Sequence, residues 1–111
     1  MTEPTMETVD SFGMNAERQF ADVWSRSVLS DRERRLLLLG LLVGEGMPEM
    51  TGVHLDVALR AGELSEVELR EVVVVLTHYA GWIRGAKLND QVEELIERVR
   101  RERSGRSGPA D

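Results

Sequence analysis

Apolar residues recur along this chain mostly at spacings of three and four, which is the period of an amphipathic helix. Phe20, Val23 and Trp24 form the first such group, within the otherwise polar sequence NAERQFADVWSRS. This spacing predicts a helix over the segment, with one apolar face and a polar remainder.

A nearly continuous apolar run follows, from Leu36 to Val43, interrupted only by Gly40. Ser30 and Glu33 precede it in the arrangement of a capping box, in which serine and glutamate satisfy each other's backbone amides. A helix is therefore predicted to start near residue 30. Because this helix is apolar all round, we expect it to be central and covered by protein on every side, with Gly40 allowing close approach of a neighbour.

The segment SEVELREVVVVLTHYAG is ambiguous between strand and helix, because its four consecutive valines favour a strand. A second capping box, Ser65 with Glu68, opens the segment. Its apolar positions keep the helical spacing: Leu69, Val72, Val73 and Leu76. Since the sequence offers no second strand to pair with it, we predict a helix.

Two further helices complete the prediction. One runs from about Glu49 to Ala61 and is ended by Gly62. The other, IRGAKLNDQVEELIERVRRER, carries one apolar stripe opposite its charges: Leu88, Val92, Leu95, Ile96 and Val99. The predicted fold class is all-α, a compact helical bundle of about five helices.

The sequence pattern divides the chain into three segments. Residues 1–12 lack periodic apolar positions and are predicted to be a flexible arm. Residues 13–101 are predicted to form a single all-helical domain, and residues 102–111 a flexible tail. A chain of 111 residues is long enough to bury one core but leaves little for a second.

Composition excludes several classes of function. With 20 acidic and 14 basic residues the net charge is −6, which argues against binding nucleic acid or an anionic membrane through overall charge. The chain has no cysteine, so it has no thiolate metal site or thiol redox chemistry of its own. Its longest apolar run is far short of the roughly 20 residues that span a bilayer, and no apolar leader is seen. A cytoplasmic protein is expected.

The two histidines are the side chains whose ordinary pKa lies near neutrality. His54 shares a predicted helix face with Met50 and Val57, in a mainly apolar stripe. It is either a core or interface histidine bonded to a backbone carbonyl, or a general acid or base oriented by Glu45 or Glu49. Neither histidine has the spacing of a metal ligand, so no metal is expected.

Polar-tipped side chains also gather at the predicted end of the valine-rich helix, where His78 and Tyr79 precede Trp82. They either pack against one another or form the wall of a pocket. Arg34 and Arg35 directly precede the central apolar run. Such arginines are either solvated or, if turned inward, able to hold both oxygens of a substrate carboxylate.

Several stretches taken together resemble the carboxymuconolactone decarboxylase family. They are FADVWSR at residues 20–26, LSDRERRLLLL at residues 29–39, then His54, then ALRAGELSEVELREVVVVLTHYAG at residues 58–81. Their order and spacing agree with the family, as does the Y-A-G element. The resemblance covers roughly residues 20–97.

This resemblance implies an all-helical fold that assembles into trimers or hexamers, with active sites near the subunit contacts. It also implies a decarboxylase, a lyase without metal or organic cofactor, for a carboxylated lactone of aromatic catabolism or a related small organic acid. By position, His54 would move a proton and Arg34 would hold a carboxylate. The candidate substrate-binding residues are Tyr79, Trp82, Met50, His78 and Glu49.

A related branch, resembling alkylhydroperoxidase D, carries a C-x-x-C pair ahead of its histidine. Met47 and Met50 stand at those two positions here. Because a thioether cannot become a thiolate nucleophile, thiol peroxidase activity is not expected. The decarboxylases tend to carry a glutamate where Met50 stands, so we expect an altered pocket. A non-catalytic oligomeric or ligand-binding protein on the same scaffold is the alternative.

Overall fold

The computed structural model describes residues 18–107, which contain helices and no strand. Helix α1 is described at residues 18–25. It is followed by α2 (Asp31–Gly44), α3 (Pro48–Arg60), α4 (Glu66–Ala80) and α5 (Trp82–Ser107). The predicted all-α fold of about five helices is confirmed. The predicted arm at residues 1–12 lies outside the described residues.

The chain divides into two compact units, Met1–Asp31 and Arg32–Asp111. In the first unit, the described part is α1 and the segment after it. The Ser25 hydroxyl donates to the carbonyl of Asp22 at 3.1 Å, within the last turn of α1. Phe20 and Val23 belong to the apolar face predicted for α1, and both are exposed in this structure. A single domain over residues 13–101 stays a prediction.

In the second unit, the predicted start and end of the valine-rich helix are both present. The Glu68 amide donates to the Ser65 hydroxyl at 3.1 Å and the Ser65 amide donates to the Glu68 carboxylate at 3.0 Å, so the capping box is present. Because α4 starts from this cap and runs through all four valines, the choice of helix over strand is confirmed. Gly62 and Gly81 lie at φ +75° and +97°, the left-handed region that ends helices most readily at glycine.

The hydrophobic core is built around α5. All five apolar residues of its predicted stripe are at most 2% exposed. The other helices and the turn between α3 and α4, which holds Leu64, contribute the remaining core residues: Leu39, Val43, Leu55, Ala58, Leu59, Leu64 and Leu69. The sequence predicts α2 as the central helix covered on every side, but Leu37 and Leu41 of α2 are 64% and 57% exposed. Within a single chain, α2 therefore covers the core with one face only, and α5 has the most completely buried stripe.

Helix α5 also extends further than predicted, to Ser107. The Arg60 guanidinium of α3 donates to the Glu102 carboxylate at 2.6 and 3.2 Å, and this pair ties α5 to α3 at residue 102. Residues 102–107 are thus helical where the sequence predicts a tail, while residues 108–111 lie outside the described residues. Within the described range, no helix is long and apolar enough to cross a membrane.

Close approach of two helices occurs at Gly85 rather than at Gly40. A β-carbon added at Gly85 of α5 would lie 2.8 Å from both Cβ and Cγ2 of Thr77 in α4. Rotation of the threonine side chain cannot relieve the contact with its Cβ. At Gly40 the nearest atom, Cδ2 of Leu76, is 3.9 Å from the added carbon, which is an ordinary contact. The expectation for Gly40 is corrected accordingly, because α2 does not pack closely enough there to require glycine.

A Gly85→Ala substitution is expected to lower the free energy of unfolding by about 1–3 kcal/mol, because the added methyl group overpacks the α4–α5 contact. Gly40→Ala is the matched control within a helix. There alanine has room and favours the helix by about 1 kcal/mol, so stability should be unchanged or higher. Urea denaturation of both variants tests this contrast, and equal effects at the two glycines would contradict it.

Candidate functional site

The site is a cluster of three polar side chains brought together from three segments. His54 lies in the middle of α3, Arg35 in the first turns of α2, and Glu63 in the turn between α3 and α4. The Arg35 guanidinium binds both Glu63 oxygens, at 2.7 and 3.2 Å. A further nitrogen of the same guanidinium, Nη1, lies 2.5 Å from Nδ1 of His54. We call these residues the His54 cluster.

The contact with Arg35 determines which nitrogen of His54 carries a proton. A guanidinium has only donors, so Nδ1 of His54 must be the acceptor. In the neutral ring the proton then lies on Nε2. His54 therefore presents an N–H donor at Nε2, while the lone pair of Nδ1 is occupied by Arg35. In this arrangement neither ring nitrogen offers a free lone pair to a substrate.

The surroundings also favour the neutral form of His54. Burial lowers the pKa of His54 below its ordinary value, the positive charge of Arg35 lowers it further, and the negative charge of Glu63 partly offsets both. Side chains of Arg35 and Glu63 are only 8% and 14% exposed, so their ion pair is held away from solvent. His54 is thus a neutral hydrogen-bond donor at neutral pH.

The arginine beside His54 is Arg35, one position later than the sequence analysis predicts. Arg34 is also buried, at 8% exposed, but its predicted role in holding a carboxylate stays a prediction. A signal for Arg35 exists in the sequence, because it lies four residues before Leu39, which is fully buried, on the same face of α2. The carboxylate in the cluster, which binds Arg35, belongs to Glu63, whereas the sequence suggests Glu45 or Glu49.

Met47 and Met50 lie at the beginning of α3 and are 45% and 44% exposed. Met50 belongs to a row on one face of the helix that also includes Val53, His54 and Val57, of which His54 is half-buried and the other three are exposed. We call these four residues the α3 stripe. Glu49 lies in the first turn of α3 and is exposed, and its predicted contact with substrate is a prediction still.

The remaining candidates lie where α4 meets α5. Nδ1 of His78 is 3.0 Å from the Val74 carbonyl and donates to it, because a carbonyl only accepts, which leaves Nε2 as the acceptor in the neutral ring. His78 and Trp82 line one cavity of about 390 Å³, so the structure brings these two together. Tyr79 is 88% exposed and does not line this cavity. No hydrogen bond among the described side chains joins these residues to the His54 cluster.

Two of the other cavities in the second unit bear on the site. One, of about 420 Å³, lies between α2 and α4 and is mainly apolar, with the Arg32–Glu68 ion pair in its wall. The other, of about 210 Å³, lies between the start of α3 and the first turns of α5. His54 lines none of these three cavities. Among residues 18–107, no group of three or more His, Asp or Glu side chains could hold a metal ion.

The model of the carboxymuconolactone decarboxylase family matches residues 10–94, which include the whole His54 cluster. The chain belongs to this family. A nitrosuccinic acid decarboxylase of Metarhizium robertsii is 35% identical to this family member over 65 residues. The match covers 59% of this chain and only 45% of that protein, so the chain spans less than half the length of the relative.

No solved structure matches this member of the carboxymuconolactone decarboxylase family significantly. The predicted family resemblance is confirmed by the family model. Membership supports decarboxylase-like ancestry for the chain, and the similarity to a nitrosuccinic acid decarboxylase points in the same direction. The site residues, in contrast, are assigned from the geometry of the His54 cluster alone.

Proposed function

We propose that this protein is a cofactor-free decarboxylase that acts on a small carboxylated lactone or organic acid, of the kind formed in the breakdown of aromatic compounds. The observation that carries the proposal is the His54 cluster, in which Arg35 and Glu63 hold a neutral histidine with its Nε2–H group available. Membership of the family and the similarity to a nitrosuccinic acid decarboxylase support it.

The two substrate types share one chemical feature. When the bond between carbon and carboxylate breaks, carbon dioxide leaves and the bonding electron pair stays on the substrate. A conjugated carbonyl oxygen of the lactone, or an oxygen of the nitro group in nitrosuccinate, accepts the resulting negative charge. A proton from solvent then adds to carbon. The step needs no oxidant or reductant, and it speeds up when the charge-accepting oxygen is stabilised.

In this proposal, Nε2–H of His54 donates a hydrogen bond to that oxygen as its negative charge develops. A fixed N–H donor that meets charge in the transition state is an efficient form of electrostatic catalysis. A histidine kept neutral so that it can polarise a substrate oxygen has a precedent in enzyme chemistry. This role replaces the general acid or base expected from the sequence, because Nδ1 is engaged by Arg35.

We further propose that a second copy of the chain completes the site, in a trimer or hexamer. Supporting this, the α3 stripe surrounds His54 with apolar side chains that are 38–55% exposed, and Leu37 and Leu41 of α2 are more exposed still. Large exposed apolar surfaces are typical of subunit contacts. A monomer of 12.5 kDa in light scattering would contradict this proposal.

A non-catalytic, ligand-binding member of the family is the second candidate. It is favoured by one observation, that His54 lines none of the cavities described above. The two candidates differ in turnover: the ligand-binding protein would bind a carboxylated lactone without releasing carbon dioxide from it.

The test of the proposed function is a decarboxylation screen on carboxylated lactones and nitrosuccinate, with release of carbon dioxide as the readout. We expect turnover of at least one of these acids without added metal or cofactor, and unchanged turnover in the presence of a chelator. A hydroperoxide assay should be negative, because the chain has no thiol. Binding without turnover across the screen would favour the second candidate.

A further inference from the structure

Two basic residues of α5 differ from the other basic residues of the second unit. Apart from Arg84, the described arginines of α2 to α5 form ion pairs or other polar contacts, such as Arg60 with Glu102, Arg70 with Glu93 and Arg100 with Glu66. Among the described side chains, Arg84 and Lys87 form no ion pair with any carboxylate. In a chain with net charge −6, two neighbouring cations without an acidic partner are unexpected.

Both cations line the same cavity, the one of about 210 Å³ between α3 and α5. We call it the α3–α5 cleft. Most of its other walls are apolar: Val43, Met47, Ile83 and Leu88. The cleft therefore has a positively charged side and an apolar side. Its volume is below the several hundred Å³ of cavities for drug-sized ligands, so it suits a small molecule.

Specific contacts hold the walls of the cleft in place. Gly46, in the turn between α2 and α3, has φ +70°, and a β-carbon added there would lie 3.4–3.8 Å from the Arg84 guanidinium. The guanidinium thus lies close to this turn, on the side where a side chain of residue 46 would project. On the other side, the Gln91 side-chain amide donates to the Pro48 carbonyl at 2.7 Å and ties α5 to the first turn of α3. The Gln91–Pro48 hydrogen bond therefore fixes the spacing of the two helices that form the cleft.

We propose that the α3–α5 cleft binds a small carboxylic acid with an apolar body, with Arg84 and Lys87 on the carboxylate and the apolar wall against the body. A guanidinium and an ammonium together match the charge and the donor needs of one carboxylate. The cleft is distinct from the His54 cluster, because none of Arg35, His54 and Glu63 is among its lining residues. The proposal does not depend on the proposed decarboxylase activity.

Benzoate is the probe for this proposal, titrated into the full chain and followed by calorimetry and by amide chemical shifts. We expect binding, with shifts at Gly46, Met47 and Lys87. An Arg84→Gln/Lys87→Gln double variant should bind benzoate at least about tenfold more weakly, the effect of losing charge-assisted hydrogen bonds. Arg101→Gln/Arg103→Gln is the matched control, since it removes the same charge from exposed positions of α5 outside the cleft. Absence of benzoate binding, or equal weakening in the control, would overturn the proposal.

Two further probes test separately what the negative charge of benzoate and its apolar ring contribute to binding. Benzamide, which is neutral and has the same shape, should not bind, and inorganic phosphate should bind more weakly than benzoate. Phosphate binding as tight as benzoate binding would refute the role of the apolar wall. A His54→Ala variant should bind benzoate as the wild type does, so the result is independent of the decarboxylation screen.

Discussion

Replacing His54 with alanine is expected to lower kcat/KM for decarboxylation by about 10²- to 10³-fold, the usual effect of removing one donor to a developing oxyanion. The reason is that Nε2–H is the donor that Arg35 and Glu63 hold in place. Initial rates of carbon dioxide release, with the substrate found in the screen, measure the effect. Asp56→Asn is the control on the same helix, because Asp56 pairs with Arg60 and has no contact with the cluster.

A second substitution distinguishes a hydrogen-bond donor from a general base. The amide of His54→Gln can donate but cannot accept a proton, so this variant should retain more activity than His54→Ala. The pKa of His54 is lowered from the ordinary value of 6.5. Wild-type kcat/KM should therefore stay constant as the pH falls through 6.5, and should decrease only when the pH reaches the lowered pKa. The activity falls there because a protonated Nδ1 of His54 would be an N–H donor facing the N–H donor of Arg35, and the contact that holds the ring would be lost. Equal activity of the alanine and glutamine variants would exclude the donor role.

Replacing Arg35 with leucine is expected to lower the free energy of unfolding by about 2–4 kcal/mol, because it leaves the carboxylate of Glu63 mostly buried without its cation. Urea denaturation measures the change. Arg32→Leu is the matched control on the same helix: Arg32 also pairs with a glutamate, Glu68, but the two side chains are 48% and 40% exposed. Exposed pairs contribute about 0–1 kcal/mol, so the control should lose much less.

A double variant tests whether the loss arises from the unpaired charge. Arg35→Leu/Glu63→Leu removes both charges, so it should recover much of the stability lost in Arg35→Leu. Simple addition of the two single effects would mean that the pair is not coupled. A similar loss in Arg35→Leu and Arg32→Leu would contradict the assigned burial of the cluster.

Much of the fold is predictable because helices are specified by neighbours in the sequence. The Ser65–Glu68 capping box involves residues three apart, and it outweighs the strand preference of four consecutive valines. The apolar stripe of α5 was predicted in full, because a helical period shows directly in the spacing of residues. The burial of α2 was less predictable. Its sequence has a nearly continuous apolar run, yet Leu37 and Leu41 are exposed in the described structure.

The candidate site was predictable only in part. His54 stands out as a polar residue in an apolar row, but its partners are 19 residues before it, at Arg35, and nine residues after it, at Glu63. To predict that Arg35, and not its neighbour Arg34, contacts His54, one must know how α2 is rotated about its axis relative to α3. His78 and Tyr79 are candidate substrate-binding residues from the sequence, but the structure shows no hydrogen bond from either to the His54 cluster and puts His78 beside Trp82 in a cavity that His54 does not line.

By itself, the sequence determined the helical class, the helix caps, the absence of thiol chemistry and the family, since each depends on residue identity or on spacing within a few turns. Only the tertiary structure decided which nitrogen of His54 carries its proton, which arginine holds it, and that Arg84 and Lys87 share a cleft with no carboxylate among its described lining residues. The physical reason is range. Hydrogen bonds and ion pairs act over about 3–4 Å, and only packing brings residues from different helices within that distance.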